Sequence, residues 1–410
     1  MLGWKAREEP DLKACQRSGR PFLIYGHAAA EGGFRIHPQG LLSGRGMDGL
    51  AAGPGQVGGA PPMPYPTPRK DPLFDPFAAA FWMLTRMEER DMPKDDHGRS
   101  LTAEMHAARH GFLDHPVVDE WVLDLAADWK QQDKRVPDPR RAYTQVVTLD
   151  LDNGYKYRGR EWWRSLGSAV RDLFQGRLFE LWDRALVLSG LRIDPYAVEG
   201  FLQQLCMERS CACMVSVLAA PRGRHDHAVD VASPAMRARV KAMAAWARIA
   251  VHPSYRSSEV PGMIEGEKQL LEQVLGSAVT CSRQHFLRFQ APTTFRELIR
   301  LGIREEHSMG FHDAVGFRAG TCTPFPFFDV EHDEVTPLMI HPFAIMDSAL
   351  RYRMSLQPED AIRRANALVD AVKRVQGTFI SVWHERFLSD HGTERGWRRV
   401  AEEVIRHARS

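Results

Sequence analysis

Thr144-Gln-Val-Val-Thr-Leu-Asp-Leu-Asp-Asn153 is the stretch on which the fold turns. Its β-branched and apolar residues predict a short strand, and the run ends in acids. Asp150 and Asp152 stand two positions apart, so an extended backbone puts both carboxylates on one face. Carboxylates that close repel unless a cation or protons intervene. A metal, with one acid as ligand and one as base, is a natural solution. The plainer alternative is a strand-end turn in which Asp and Asn satisfy backbone amides.

Working outward toward the C-terminus, helical periods alternate with short apolar runs. Helices are expected at 161–175, 195–207, 234–247, Glu265–Leu275, 293–301, 358–375 and 394–408. Between them, Cys213–Leu218, Ala247–His252, Ala278–Arg283, a short segment near Ser308 and Gly377–Trp383 read as strands. Alternation of this kind implies a mainly parallel sheet, and the number of units suggests an α/β fold closed into a (β/α) barrel or a distorted one. No internal repeat is evident.

Toward the N-terminus the pattern weakens. Pro21–Tyr25 and Phe34–His37 are short strand candidates, and 43–70 is a Gly/Pro-rich loop or linker. Order resumes at Asp75-Pro76, an N-cap followed by proline at the first helical position. A second helix is expected from Val117 to Lys130. The chain thus divides into an N-terminal α+β domain, 1–140, and a barrel domain, 141–410.

Composition narrows the function classes. The chain has 410 residues, 44% hydrophobic and 26% charged, as expected of a globular protein with a sizeable core. A net charge of +2 gives no electrostatic case for nucleic acid as a partner. No apolar run approaches the roughly 20 residues of a membrane span, and the first ten residues lack a signal peptide's apolar core. A cytoplasmic location is therefore expected. Cys15, Cys206, Cys211, Cys213, Cys281 and Cys322 do not form a disulfide framework, and buried free thiols are the expectation. Nothing in the pattern sets an oligomeric state.

Polar residues collect where the strands end, the rim at which a parallel β/α fold gathers its chemistry. In Ile249-Ala-Val-His-Pro-Ser-Tyr255 the proline holds an extended backbone that aims His252, and neutral imidazole with carboxylate suits zinc or a similar divalent ion. Ser282-Arg-Gln-His-Phe286 offers Arg283 and His285 on one face, the guanidinium able to hold a carboxylate ionised. Ser381-Val-Trp-His384 closes the last strand with a histidine placed for general acid work. Alone, a strand-end histidine is more often a hydrogen-bonded structural residue, and Arg283 has a surface ion pair as its plainer alternative; their repetition carries the reading. Three features are set aside. His225-Asp-His227 reads as a solvated turn in a Gly/Arg-rich loop, Arg395–Arg409 as the basic face of a terminal helix, and Gly53–Gly59 lacks the flanks of a phosphate loop.

Taken in order, Thr-Leu-Asp-Leu-Asp152, His252-Pro-Ser-Tyr255, Ser282-Arg-Gln-His-Phe286 and Val-Trp-His384 resemble the motifs of the polysaccharide deacetylase superfamily, the family 4 carbohydrate esterases. The closer likeness is to a bacterial subfamily with its own N-terminal domain. Asp75–Phe81, Arg86-Met-Glu-Glu89, Gly310-Phe311, Gly316–Thr321 and His341-Pro-Phe add to it, so that it covers roughly Asp71 to the end. The resemblance implies a distorted barrel that removes N- or O-acetyl groups from a carbohydrate with a divalent metal, zinc first, with cobalt, manganese or nickel as alternatives. It also implies roles. Asp150 matches the base, Asp152 and His252 match metal ligands, Arg283 the residue orienting the base, His384 the acid, and Asp347 the carboxylate holding that histidine. The family's second metal histidine falls at Arg256, which cannot ligate a cation, and His285 would replace it. Without that replacement the protein would be an inactive carbohydrate-binding or scaffold relative. Relatives of the fold also cleave non-sugar C–N bonds, which gives a third reading. Tyr255 and Trp383 are candidates to line the sugar site, with core packing equally open for Trp383.

Overall fold

The computed structural model describes residues 1–26, 32–43, 74–209 and 211–409. The glycine-rich 53–59 stretch, and the 43–70 loop from residue 44 onward, lie outside them. In the N-terminal part, β1 (Leu23–Tyr25) and β2 (Phe34–Ile36) pair in parallel. The helix Pro76–Leu84 follows because Asp75 caps it. One carboxylate oxygen accepts from the amides of Phe77 and Ala78, both at 3.1 Å, and the other from the Tyr25 hydroxyl at 2.8 Å. Ala78, Ala79, Trp82 and Met83 then bury against Val117, Val118 and Trp121 of the helix Val117–Gln132.

The rest of the chain builds one nine-stranded sheet. Its strands are β3 (Thr144–Leu151), β4 (Ala212–Val217), β5 (Arg248–Val251), β6 (Cys281–Ser282), β7 (Glu305–Glu306), β8 (Phe325–Asp329), β9 (Glu334–Ile340), β10 (Ile345–Met346) and β11 (Thr378–His384). Their spatial order is β10-β11-β3-β4-β5-β6-β7-β9-β8, and every pair is parallel except β8–β9. The mixed α/β class and the mainly parallel sheet match the expectation. Barrel closure by hydrogen bonds does not follow. Among the described residues no ladder joins β8 to β10, and the edge strand β10, only two residues long, offers little backbone to pair. The antiparallel β8–β9 hairpin and the helix Leu178–Leu188 were not expected from the periodicity. Trp162, Phe174 and Trp182, on that helix and its neighbour Trp162–Phe174, are exposed.

Register fixes what the sheet presents at its rim. Asp150 lies opposite His384 on one side and Ser216 on the other. β5 meets β6 at Val251 and Ser282. The helix Pro358–Arg374 and the terminal helix Trp397–His407 give Leu368, Val369, Val400 and Val404 to the main core, alongside Phe379 and Trp383 of β11.

The N-terminal part is fastened to the sheet by buried polar contacts. Asp119, fully buried, accepts from the Thr321 hydroxyl (2.7 Å), the Cys322 amide (3.0 Å), the Thr323 hydroxyl (2.5 Å) and Arg141 (2.6 Å). The Phe317 amide donates to the Leu113 carbonyl at 2.7 Å. Gly316, at φ +131°, lets the chains approach so closely that a Cβ there would lie 2.1 Å from that carbonyl oxygen.

Candidate active site

Five strand ends supply the site, Asp347 coming from just past β10. β3 carries Asp150 and, just past its end, Asp152; β5 delivers His252 and β11 ends at His384. Beyond β6 the pairing continues irregularly. The Arg283 amide donates to the Val251 carbonyl and the His285 amide to the Pro253 carbonyl, both at 3.0 Å, which carries Arg283 and His285 alongside β5.

The side chains converge on Asp152. Its Oδ1 lies 3.4 Å from His252 Nε2 and 3.7 Å from His285 Nε2, while its Oδ2 lies 3.8 Å from His384 Nε2. Asp152, His252 and His285 each offer a donor atom within 4.8 Å of the others, and the Asp152 Oδ1 is buried with no hydrogen-bond partner. The far nitrogens explain how the rings are aimed. His252 Nδ1 sits 2.5 Å from the Arg283 carbonyl, which can only accept, so Nδ1 carries a proton and Nε2 faces Asp152. His285 Nδ1 donates to Asp226 at 2.8 Å with the same result. Such outer partners are how ligand histidines are oriented in metal sites.

Two further pairs complete the site. Arg283, fully buried, donates through one terminal nitrogen to Asp150 (2.9 Å) and to the Thr148 hydroxyl (2.6 Å). His384 Nδ1 donates to Asp347 at 2.6 Å, and the same carboxylate takes the His384 amide at 2.6 Å.

Burial and charge compete at each group. For Asp150, burial works against ionisation, but Arg283, His252 and His384 outweigh it and hold the carboxyl below the usual range. Asp152 is likewise held low against burial by His384, His252 and His285. Burial disfavours a charged His384, yet the carboxylates of Asp347 and Asp152 lift it to about 9, so it is a proton donor at neutral pH. Burial also opposes a charged His252, which Asp150 and Asp152 nevertheless raise above its ordinary value. A carboxylate and two imidazoles arranged this way need either protons or a cation between them, and the donor set suits a divalent ion.

Asp150, Asp152, His252, Arg283, His285, Asp347 and His384 are thus brought together. Arg256 stands apart, exposed in the turn after His252. Trp383 is corrected: it is wholly buried in the main core, its indole nitrogen donating to the Ser381 hydroxyl at 2.9 Å, so no sugar ring reaches it. Tyr255 is half-buried and already engaged. Its hydroxyl is 2.9 Å from His97 Nδ1, its ring stacks on His225 at 4.1 Å, and the Arg288 guanidinium lies 4.4 Å from the ring centroid.

Two residues escaped sequence reasoning. Asp226 sits in the stretch set aside as a solvated turn; His227 is indeed exposed, but Asp226 between the two histidines is buried and turns His285. The alternation His-Asp-His was the available signal. Glu385, fully buried, accepts from the Asn153 amide at 2.6 Å and its side-chain amide at 3.0 Å, bracing the turn after Asp152. Nothing but its position beside His384 marked it.

Comparison with known proteins adds the following. Residues 1–133 match a family described as a family of unknown function (DUF7033). No curated protein matches the chain. Among solved structures, a Mycobacterium smegmatis protein assigned as a polysaccharide deacetylase is 14% identical with a TM-score of 0.42, covering 65% of this chain and 84% of that one. The polysaccharide deacetylase of Bacillus cereus is 8% identical with a TM-score of 0.33, covering 65% and 87%. The 4-alpha-glucanotransferase of Thermococcus litoralis is 13% identical with a TM-score of 0.36, covering 65% and 37%. Likeness at this level assigns no activity, which has to come from the site itself.

Proposed function

We propose that this chain is a metal-dependent hydrolase that removes N- or O-linked acetyl groups from a carbohydrate. One observation carries the reading: a carboxylate and two imidazoles, each imidazole turned by an acceptor at its far nitrogen, face one another beside an arginine-clamped aspartate and an aspartate-held histidine. The unpartnered Asp152 Oδ1 is the atom that fits a cation best.

Asp152, His252 and His285 would hold the ion, with His285 in place of the histidine that position 256 lacks. When bound, a divalent ion of the zinc class polarises an acyl carbonyl and makes water acidic near neutral pH. The chain's own residues do the rest. Asp150, kept ionised by Arg283, takes the proton of the attacking water. Arg283 is itself fixed, because its Nε donates to the His307 carbonyl at 3.0 Å. His384, held by Asp347, gives its proton to the departing amine or alcohol. Residues 1–140 form the N-terminal α+β domain of this reading, and 141–410 the deacetylase-like domain of distorted (β/α) barrel type. Among the described residues no helix is long and apolar enough to cross a membrane.

The carbohydrate comes from the motif resemblance. Because Trp383 is buried and Tyr255 already stacked, no free aromatic platform of those two is left for a pyranose ring, and that favours hydrolysis of a non-sugar C–N bond as the second reading. A panel of acetylated sugars set against small linear and cyclic amides separates the two. For the site, Asp152→Ala is expected to lose one equivalent of bound metal together with hydrolysis. Unchanged metal content in that variant overturns the ligand assignment.

A further inference from the structure

A second group of donors stands on the neighbouring strands, and their side chains take no part in the chemistry above. Register places Cys281 of β6 opposite Glu305 of β7. His307 follows Glu305 by two residues, its amide donating to the Ser282 carbonyl at 2.9 Å, and the His341 amide past β9 donates to the Glu306 carbonyl at 2.8 Å. One atom of Glu305 gathers the other three. Glu305 Oε2 lies 3.9 Å from the Cys281 sulfur, 3.6 Å from His307 Nε2 and 3.5 Å from His341 Nε2. The donor atoms of Cys281, Glu305 and His307 fall within 4.8 Å of one another, and the two imidazoles stack at 4.5 Å.

His307 supplies an independent sign that something is missing. The residue is 4% exposed, yet neither ring nitrogen has a hydrogen-bond partner. Its far nitrogen is not anchored as those of His252 and His285 are. Leaving both nitrogens of a buried imidazole unsatisfied is costly, and such groups call for an unplaced partner.

We propose that Cys281, Glu305, His307 and His341 form a second divalent-metal site, separate from the Asp152 site, with a thiolate, carboxylate and two-imidazole donor set suited to zinc. Thiolate with imidazole selects zinc-like ions over magnesium or calcium, and the proposal does not depend on the hydrolase reading. In the ion's place Glu305 pairs with Arg248, whose half-exposed guanidinium lies 2.7 Å from the same Oε2. Binding therefore exchanges one cation for another: Arg248 swings into solvent and Glu305 turns to the metal. Cys281 forms its sulfur–metal bond by releasing the thiol proton to solvent. A bound divalent charge favours the thiolate even at a buried sulfur.

The test is titration of the metal-stripped full chain with cobalt(II), followed by absorption. A thiolate ligand gives a sulfur-to-cobalt charge-transfer band in the near ultraviolet, which the Asp152 site, having no sulfur, cannot produce. The band is expected in the unaltered protein and equally in Asp152→Ala, so failure of the hydrolase reading leaves this result untouched. It is expected to vanish in Cys281→Ser. His341→Gln, at a partly exposed position less prone to misfolding, is expected to weaken cobalt affinity by at least about tenfold. The proposal is overturned by a saturated protein without the band, by a band that survives Cys281→Ser, or by unchanged affinity in His341→Gln.

Discussion

The molecule holds two histidine–carboxylate groups at the strand ends of one sheet, and they are built differently. Around Asp152, the imidazoles of His252, His285 and His384 each donate from the far nitrogen, to a backbone carbonyl, to Asp226 and to Asp347 respectively. Around Glu305, His307 has no such donation, and the carboxylate is satisfied by an arginine that reaches in from solvent. The first group has its orientation paid for by the fold, so its geometry exists before any ligand arrives. The second is left open, and an ion would complete it. Orientation at the far nitrogen, more than the tally of donors, separates a preorganised site from a latent one.

That contrast can be broken by removing the anchors. The largest effect is expected at the acid. Asp347→Asn should slow turnover by about 10²–10⁴-fold with metal content unchanged, because it strips His384 of the carboxylate that keeps it protonated. The sign follows from the shift: Asp347 raises the imidazole toward about 9, so its loss moves the alkaline limb of the rate profile to lower pH. Rate–pH curves of the two proteins check it, and a limb that does not move refutes the role. Next is Asp226→Ala, which should cost about 10–100-fold in metal affinity at the first site by releasing His285. Competition with a chelator measures this, and the cobalt–thiolate band of the second site should be unaffected. The smallest effect sharpens the comparison from the other side. Arg248→Ala removes the competing cation at Glu305 and should tighten cobalt binding there by no more than about fivefold, the modest worth of a solvent-exposed ion pair.

Much of the sheet and most of its rim were legible because the relevant signals are local. Runs such as Thr144–Asp150 and Thr378–Trp383 carry β-branched residues next to clear helical periods, and the rim residues follow directly from where those runs stop. What was missed depends on contacts distant in sequence. Asp226 acts on a histidine 59 residues away, and nothing around it has a strand or helix period. The β8–β9 hairpin begins Phe325-Pro-Phe-Phe, where proline hides the strand and no helix follows to mark its end. Trp383 shows the opposite error. An aromatic beside a catalytic candidate invites a binding role, yet alternation along β11 turns it away from the face shown by His384 and into the core. Closure of the sheet is a property of strand lengths and shear, neither of which a hydrophobic pattern encodes.

The Asp119 junction bears on anyone who would trim this protein to the part that carries the nine-stranded sheet. Cutting after residue 140 discards the carboxylate on which Arg141, Thr321, the Cys322 amide and Thr323 all depend, and it uncovers the backbone groove at Gly316. The shortened chain would start out with the Arg141 guanidinium stripped of its carboxylate, two hydroxyls that have lost their acceptor and an unmet amide along one flank. Poor yield of such a fragment would then reflect a severed seam, and would say nothing about whether the excised portion has any part in catalysis.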